Sequence, residues 1–239
     1  SLTLQINRIL TIMSENNNIK LTVDANIFGY LIEEKELQIL LIKRKYEPFK
    51  DMWALPGGYV KENESLDEAV LRETLEETGL TDEPYLEQLY SYGNLNRDPR
   101  GRTVSIAYYG LINTKKLEAS TDALEAKWFP INSLPVLAFD HDKIFSDSLT
   151  RLRNKISYQP IGFELLGDKF TIPQLHNLYE TILGKTIDRR NFTRKFKKFN
   201  ILEDLDEKEK GVPNKPASLF KFNKKKYQEK IEQGFYFEI

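Results

Sequence analysis

Glu64, Arg72, Glu73, Glu76 and Glu77 crowd into one short stretch of the chain. Glu73, Glu76 and Glu77 stand at i, i+3 and i+4, so on a helix they share a face. Each like-charged pair there costs roughly a few tenths of a kcal/mol. A divalent cation would remove that repulsion. Donors that are all oxygen suit Mg²⁺ or Mn²⁺ better than zinc. Such an ion can activate water and screen charge developing on a diphosphate. A solvated glutamate-rich helix face has the same local composition. Arg72 can pair with a glutamate and hold its rotamer, and Gly57 and Gly58 let the backbone approach a metal closely.

A second chemical signature is cationic. In DRRNFTRKFKKF, Phe192, Phe196 and Phe199 fall at i, i+4 and i+7, one apolar stripe. The cations lie mostly off that stripe, which suits phosphate contact and entry into a major groove. Arg189, Arg190, Asn191, Arg194, Lys195 and Lys198 are the candidate DNA contacts. A solvated basic helix is the plainer alternative. Three arginines in NRDPRGR, Arg97, Arg100 and Arg102, sit around a Pro99–Gly101 turn and could hold a ligand phosphate, or form an exposed basic turn.

Elements must position these groups. Thr22–Ile32 and Leu37–Arg44 read as strands around a polar turn at Glu33–Glu36, and Thr103–Ile112 and Ala126–Pro130 as two more. Ser65–Thr78 has helical periodicity, with Leu66, Ala69, Val70 and Leu75 on one face. Asn63 or Ser65 can cap its start and Gly79 ends it. Asp142–Asn154 reads as a linking helix. Phe170–Gly184 is a helix with Thr171 as N-cap, Pro173 in the first turn and Gln174 completing a capping box. Asp188–Phe199 follows as a further helix. Ile201–Leu205 and Ser218–Phe222 read as strands joined by a loop over Asp206–Pro216. Helix, turn, helix and hairpin make a winged helix-turn-helix pattern.

Charge divides the chain in the same place. Ser146–Ile239 carries a net +6 and the preceding part −7 within a total of −1 over 239 residues. Such a split suggests a metal ion for one half and a polyanion for the other. There is no cysteine, which excludes disulfides, thiolate zinc sites and a cysteine nucleophile. His141 and His176 are the only histidines, too few for a three-histidine metal site. No apolar run reaches the ~20 residues of a membrane-spanning helix. Without a visible secretory signal, the simplest compartment is the cytoplasm, and Ser14–Lys20 reads as a polar leader.

Gly57–Leu80, GGYVKENESLDEAVLRETLEETGL, resembles the signature of the Nudix hydrolases. Every glycine, glutamate and arginine of that signature is present, and one aliphatic position holds Thr74. The resemblance implies an α/β/α sandwich with a mixed sheet and a Mg²⁺- or Mn²⁺-dependent hydrolase of nucleoside diphosphate derivatives. Glu73, Glu76 and Glu77 would be the metal ligands, with Arg72 and Glu64 supporting them. The catalytic base stays unidentified. Tyr158–Phe222 is similar to the C-terminal domain of NrtR-type transcription regulators, as are NRDPRGRTVSIAYYG (Asn96–Gly110) and FDHD (Phe139–Asp142). That group joins a Nudix-like domain to a winged helix and senses ADP-ribose or pentose sugars.

The expected organisation is therefore a leader over residues 1–20, a Nudix domain over 21–141, a linker helix over 142–157 and a winged helix over 158–239. Gly57, Gly58, Glu64, Arg97, Arg100 and Arg102 are the expected effector- or substrate-binding residues, and a homodimer on operator DNA is the expected assembly. A diphosphatase acting on ADP-ribose is the rival. His141 could orient a ligand or cap the linking helix, and the structural role is the expected one, while His176 is expected to be structural or partly exposed. Trp53 is expected to pack under the Glu-rich helix, and the Phe235–Phe237 aromatics to be packing or dimer contacts.

Overall fold

The computed structural model describes residues 19–114, 125–211 and 216–239. The expected leader lies outside them up to residue 18, and Lys20 already opens the first strand. β1 (Lys20–Leu31) is the centre of a mixed sheet, antiparallel to β2 (Glu36–Lys43) and parallel to β6 (Thr103–Leu111). Short β3 (Trp53–Ala54) and β7 (Ala126–Pro130) pair with β2, and β4 (Gly57–Tyr59) pairs with β1. β5 (Tyr85–Tyr92), which the sequence patterning did not reveal, lies outside β6 at the sheet edge.

Side chains alternate across the sheet, and both faces are covered. Val23, Ala25, Ile27 and Leu40 pack against Ala69 and Val70 of α1 (Leu66–Thr78). Ile39, Leu41 and Ala107 pack on the other side with Ile144 of α2 (His141–Tyr158). The α/β/α layering is thus present. Ser65 caps α1 in a reciprocal capping box with Glu68, and Gly79 ends it at φ 68°. Trp53 is not under α1. It meets Phe129 edge-on at 4.7 Å on the opposite face, because β3 pairs with β2 at the sheet's far side.

The C-terminal unit contains α3 (Phe163–Leu166), α4 (Ile172–Leu183), α5 (Arg189–Phe199), the β8–β9 hairpin (Leu202–Lys208, Ser218–Phe222) and α6 (Lys224–Glu232). Phe170 bridges Phe220 as a third strand position, completing a winged helix. Thr171 and Gln174 form the expected capping box. β8 runs on to Lys208, so the expected loop starts later than Asp206. The linking helix starts at His141 and runs to Tyr158, longer than its apolar periodicity suggested.

One hydrophobic core joins the two units. Phe28, Tyr30 and Tyr109 of the sheet cluster with Leu152 and Ile156 of α2 and with Leu178, Phe192 and Phe196 of the winged helix. Phe237 is 1% exposed and packs its ring on Phe196 and Phe199, so Phe237 with Phe235 closes this core, whereas Tyr236 between them is exposed.

Candidate functional site: a carboxylate cleft and a cationic helix

A cleft of about 410 Å³ opens where β4 and α1 face the 97–100 turn and residues 139–141. Two glycines shape it by close approach. A Cβ on Gly57 would stand 2.2 Å from the Val23 carbonyl oxygen, and one on Gly58 would stand 2.4 Å from Glu73 Oε1. The Gly57 amide donates to Glu77 Oε2 at 2.8 Å. Burial is the main influence on Glu77, and with the nearby Glu73 and Asp24 charges it raises the carboxyl from 4.5 to about 7 despite that hydrogen bond.

Arg72 organises the remaining acids. It donates to Glu64 at 2.6 and 2.8 Å, to Glu73 at 2.8 Å, to Glu76 at 3.3 Å and to the Tyr59 carbonyl at 3.2 Å. These hydrogen bonds, with one from the Lys61 amide, hold the Glu64 carboxyl at about 2. They also raise Arg72 above its usual range. Glu73 and Glu77 line the cleft. The Glu76 side chain is 59% exposed and leans toward Arg72. Among the described residues no three His, Asp or Glu side chains converge closely enough to ligate one metal. The expected three-glutamate cluster is therefore not preassembled, because Arg72 neutralises two of its members. The oxygen chemistry still fits a hard cation, since Glu77 is buried, close to Glu73 and Asp24, and in need of a positive charge.

The floor of the cleft is a buried ionic network. Arg97 donates to Asp140 at 2.7 and 3.1 Å and to Asp24 at 3.2 Å. Ser105 donates to Asp24 at 2.5 Å. Burial alone would raise Asp24, but His141, Arg97 and Ser105 outweigh it and lower the carboxyl to about 2. His141 Nδ1 accepts from the Leu55 amide at 2.9 Å, which leaves its proton on Nε2, 3.4 Å from Asp24. His141 thus has the expected structural role, yet it also faces the cleft.

The three arginines of the turn separate. Arg97 and Arg100 line the cleft. Arg100 is held by Asp98 at 2.8 Å and lies over the rings of Tyr59 and Phe139 at 5.7 and 5.5 Å. Arg102 instead donates to the Gly93 carbonyl at 2.6 Å and braces the turn outside the cleft. Asp24, Arg44 and Tyr59 also line the cleft and were not singled out from the sequence, and Phe139 joins them from the FDHD segment, which was noted without a site role. A lone Asp inside an apolar strand was the one available signal. Arg44 stacks on Phe139 at 4.7 Å, and burial followed by the nearby Arg100 charge pulls its guanidinium below the usual range. An anion between Arg44 and Arg100 would relieve that repulsion.

The second candidate site is α5. Phe192, Phe196 and Phe199 are buried, and Asp188 caps the helix by accepting from the Asn191 amide. Arg189, Arg190, Asn191, Arg194 and Lys198 are exposed. Arg189, Arg190 and Arg194 form one surface with Thr193 and Lys197, which were not among the candidates. Arg194 donates to the Asn191 side-chain oxygen at 2.8 Å. Lys195 turns away to the Glu238 carbonyl at 3.3 Å. His176 contacts the Ile187 carbonyl at 2.8 Å and meets Phe192 edge-on, a structural role behind α5.

Comparison with known proteins finds two family models. Residues 23–149 match the NUDIX domain, and residues 162–222 match the NrtR DNA-binding winged helix domain. The chain is 38% identical over 207 residues to the ADPR responsive transcriptional repressor NtrR of Acinetobacter baylyi, covering 84% of this chain and 81% of that one. It is 50% identical over 117 residues to the ADP-ribose pyrophosphatase of Methanocaldococcus jannaschii, covering 48% of this chain and 68% of the relative. Shewanella oneidensis NrtR complexed with a 27mer DNA superimposes with a TM-score of 0.77 at 33% identity, covering 87% of this chain and 95% of that one.

Proposed function

The chain belongs to the NrtR family of Nudix and winged-helix proteins, and we propose that it is a transcriptional repressor that releases operator DNA when ADP-ribose enters the Nudix cleft. The observation that carries this reading is the shared core. The cleft and the cationic helix are two faces of one packed body, connected through α2. Arg44 and Arg100 would take the diphosphate. Arg189, Arg190 and Arg194 would contact bases and phosphates, with Lys198 on the backbone. The protein would act in the cytoplasm as a homodimer, with half-sites one helical turn or a multiple apart. The test is selection of bound duplexes from a random library, followed by titration of ADP-ribose into the selected complex. Failure of ADP-ribose to alter the affinity for selected DNA would remove ADP-ribose as the effector.

A second reading is favoured by the retention of every glutamate of the Nudix signature. Glu73 and Glu77, joined by Glu76, would hold Mg²⁺ or Mn²⁺, and the bound ion would supply Lewis-acid activation of water and charge screening at a diphosphate. Arg72 would then hold the carboxylates in place, and the Arg44 and Arg100 pair would orient the phosphates. AMP release from ADP-ribose, wild type against Glu77→Gln with each metal, tests this activity separately from DNA binding.

A further inference from the structure

Thr193 stands out on the cationic face of α5. Arg189 and Arg190 precede it by four and three residues and Lys197 follows by four, so all three are its surface neighbours on the helix. Arg194 completes the rim. Another lysine or arginine here would strengthen phosphate binding, but this position holds a small, β-branched, uncharged side chain.

Its hydroxyl is already committed. Thr193 Oγ1 donates to the Arg189 carbonyl at 2.8 Å. With its hydrogen used inside the helix, the group cannot also donate to guanine or to thymine O4. What remains for a base edge is the methyl group, together with oxygen lone pairs that can only accept, from adenine N6 or cytosine N4. In the major groove one base presents a matching apolar group, the 5-methyl of thymine. The flanking arginines suit guanine O6 and N7, so the methyl contact would sit beside guanine readout.

We propose that Thr193 is a specificity-determining residue that selects thymine in each half-site through methyl–methyl contact. The inference rests on the DNA-binding reading above and adds to it a base and an atom.

The experiment selects duplexes from a random library with full-length wild type, Thr193→Ser and Thr193→Val. Serine keeps the hydroxyl and loses the methyl, whereas valine keeps a methyl and loses the hydroxyl. Wild type and Thr193→Val are expected to enrich thymine at the same position of each half-site, and Thr193→Ser to lose that preference alone. Replacing that thymine by deoxyuridine should then weaken wild-type binding about fourfold, the effect of one buried methyl-sized group. It should leave Thr193→Ser unchanged. Thymine preference retained by Thr193→Ser, or lost by Thr193→Val, overturns the assignment, as does equal wild-type affinity for thymine and deoxyuridine. Enrichment with no thymine position overturns it while leaving DNA binding intact. No enrichment at all overturns the DNA-binding reading and this inference with it.

Discussion

Glu77 carries a charge that its surroundings oppose, and that opposition gives it a definite pH signature. Its carboxyl moves from 4.5 to about 7 on folding, chiefly through burial. The folded chain therefore binds this proton more tightly than the unfolded one. Stability from this group is present below pH 4.5 and is lost as pH rises through about 7. The loss is on the order of 3 kcal/mol. Melting in EDTA should thus show a falling contribution between pH 5 and 8, and Glu77→Gln should flatten it. Asp24 has the opposite sign: its carboxyl lies near 2 instead of 3.8, so its contribution is lost only as pH falls through that range. Adding Mg²⁺ at pH 8 should raise the wild-type melting temperature more than that of Glu77→Gln. Equal shifts in the two proteins would argue against Glu77 as a ligand.

Adjacent glycines in β4 do different jobs, and alanine scanning should separate them. At Gly57 the added Cβ meets backbone, the Val23 carbonyl at 2.2 Å, and β1 cannot retreat without losing its pairing. At Gly58 it meets the Glu73 carboxylate, a side-chain end that can swing aside at the expense of its bond to Arg72. Gly57→Ala should lower the melting temperature markedly, whereas Gly58→Ala should leave it nearly unchanged and weaken metal or ADP-ribose binding in calorimetry. In α1, Ser65→Ala removes half of a capping box and should cost about 1 kcal/mol in denaturant titration. The cap of α4 was legible in the sequence because it is written in residues three apart, Thr171 with Gln174, whereas at α1 the sequence left Asn63 or Ser65 open and the structure forms the box at Ser65 with Glu68. The buried stripe of Phe192, Phe196 and Phe199 was legible for the same reason. β5 was not, because its half-exposed, polar-interrupted pattern becomes a strand only against β6. Asp24, Arg44 and Phe139 were missed as a group because residues far apart in the chain meet only through sheet register and the turn before α2. Arg102 shows the converse, since proximity in sequence to Arg100 did not bring it into the cleft.

At the scale of the whole molecule α2 is the connection, because that helix starts at the cleft and ends in the winged-helix core. Asp140 occupies its N-cap position but makes no side-chain capping bond. Its carboxylate goes to Arg97 at 2.7 Å instead. Two partners therefore compete for the Asp140 side chain: Arg97, and the first turn of α2, where a capping side chain ordinarily accepts from the second or third amide. A ligand phosphate that takes hydrogen bonds from Arg97 at the cleft floor, beside the Arg44 and Arg100 pair, would release Asp140 to cap α2. Ser148 of the same helix receives a hydrogen bond from buried Asn26 of β1, and Leu152 and Ile156 pack with Phe192 and Phe196 behind the cationic face of α5. A shift in the first turn of α2 would be passed through these close-packed side chains to the cationic face of α5. Effector coupling of this kind is typically roughly 5- to 150-fold in affinity. Asp140→Asn weakens the Arg97 pair while keeping a side chain able to cap. The expected outcome is a smaller ratio between DNA dissociation constants measured with and without saturating ADP-ribose, read by fluorescence anisotropy on selected duplexes. Binding of ADP-ribose itself should persist in calorimetry. A wild-type ratio in Asp140→Asn, with both ligands still bound, would place the coupling elsewhere in the shared core.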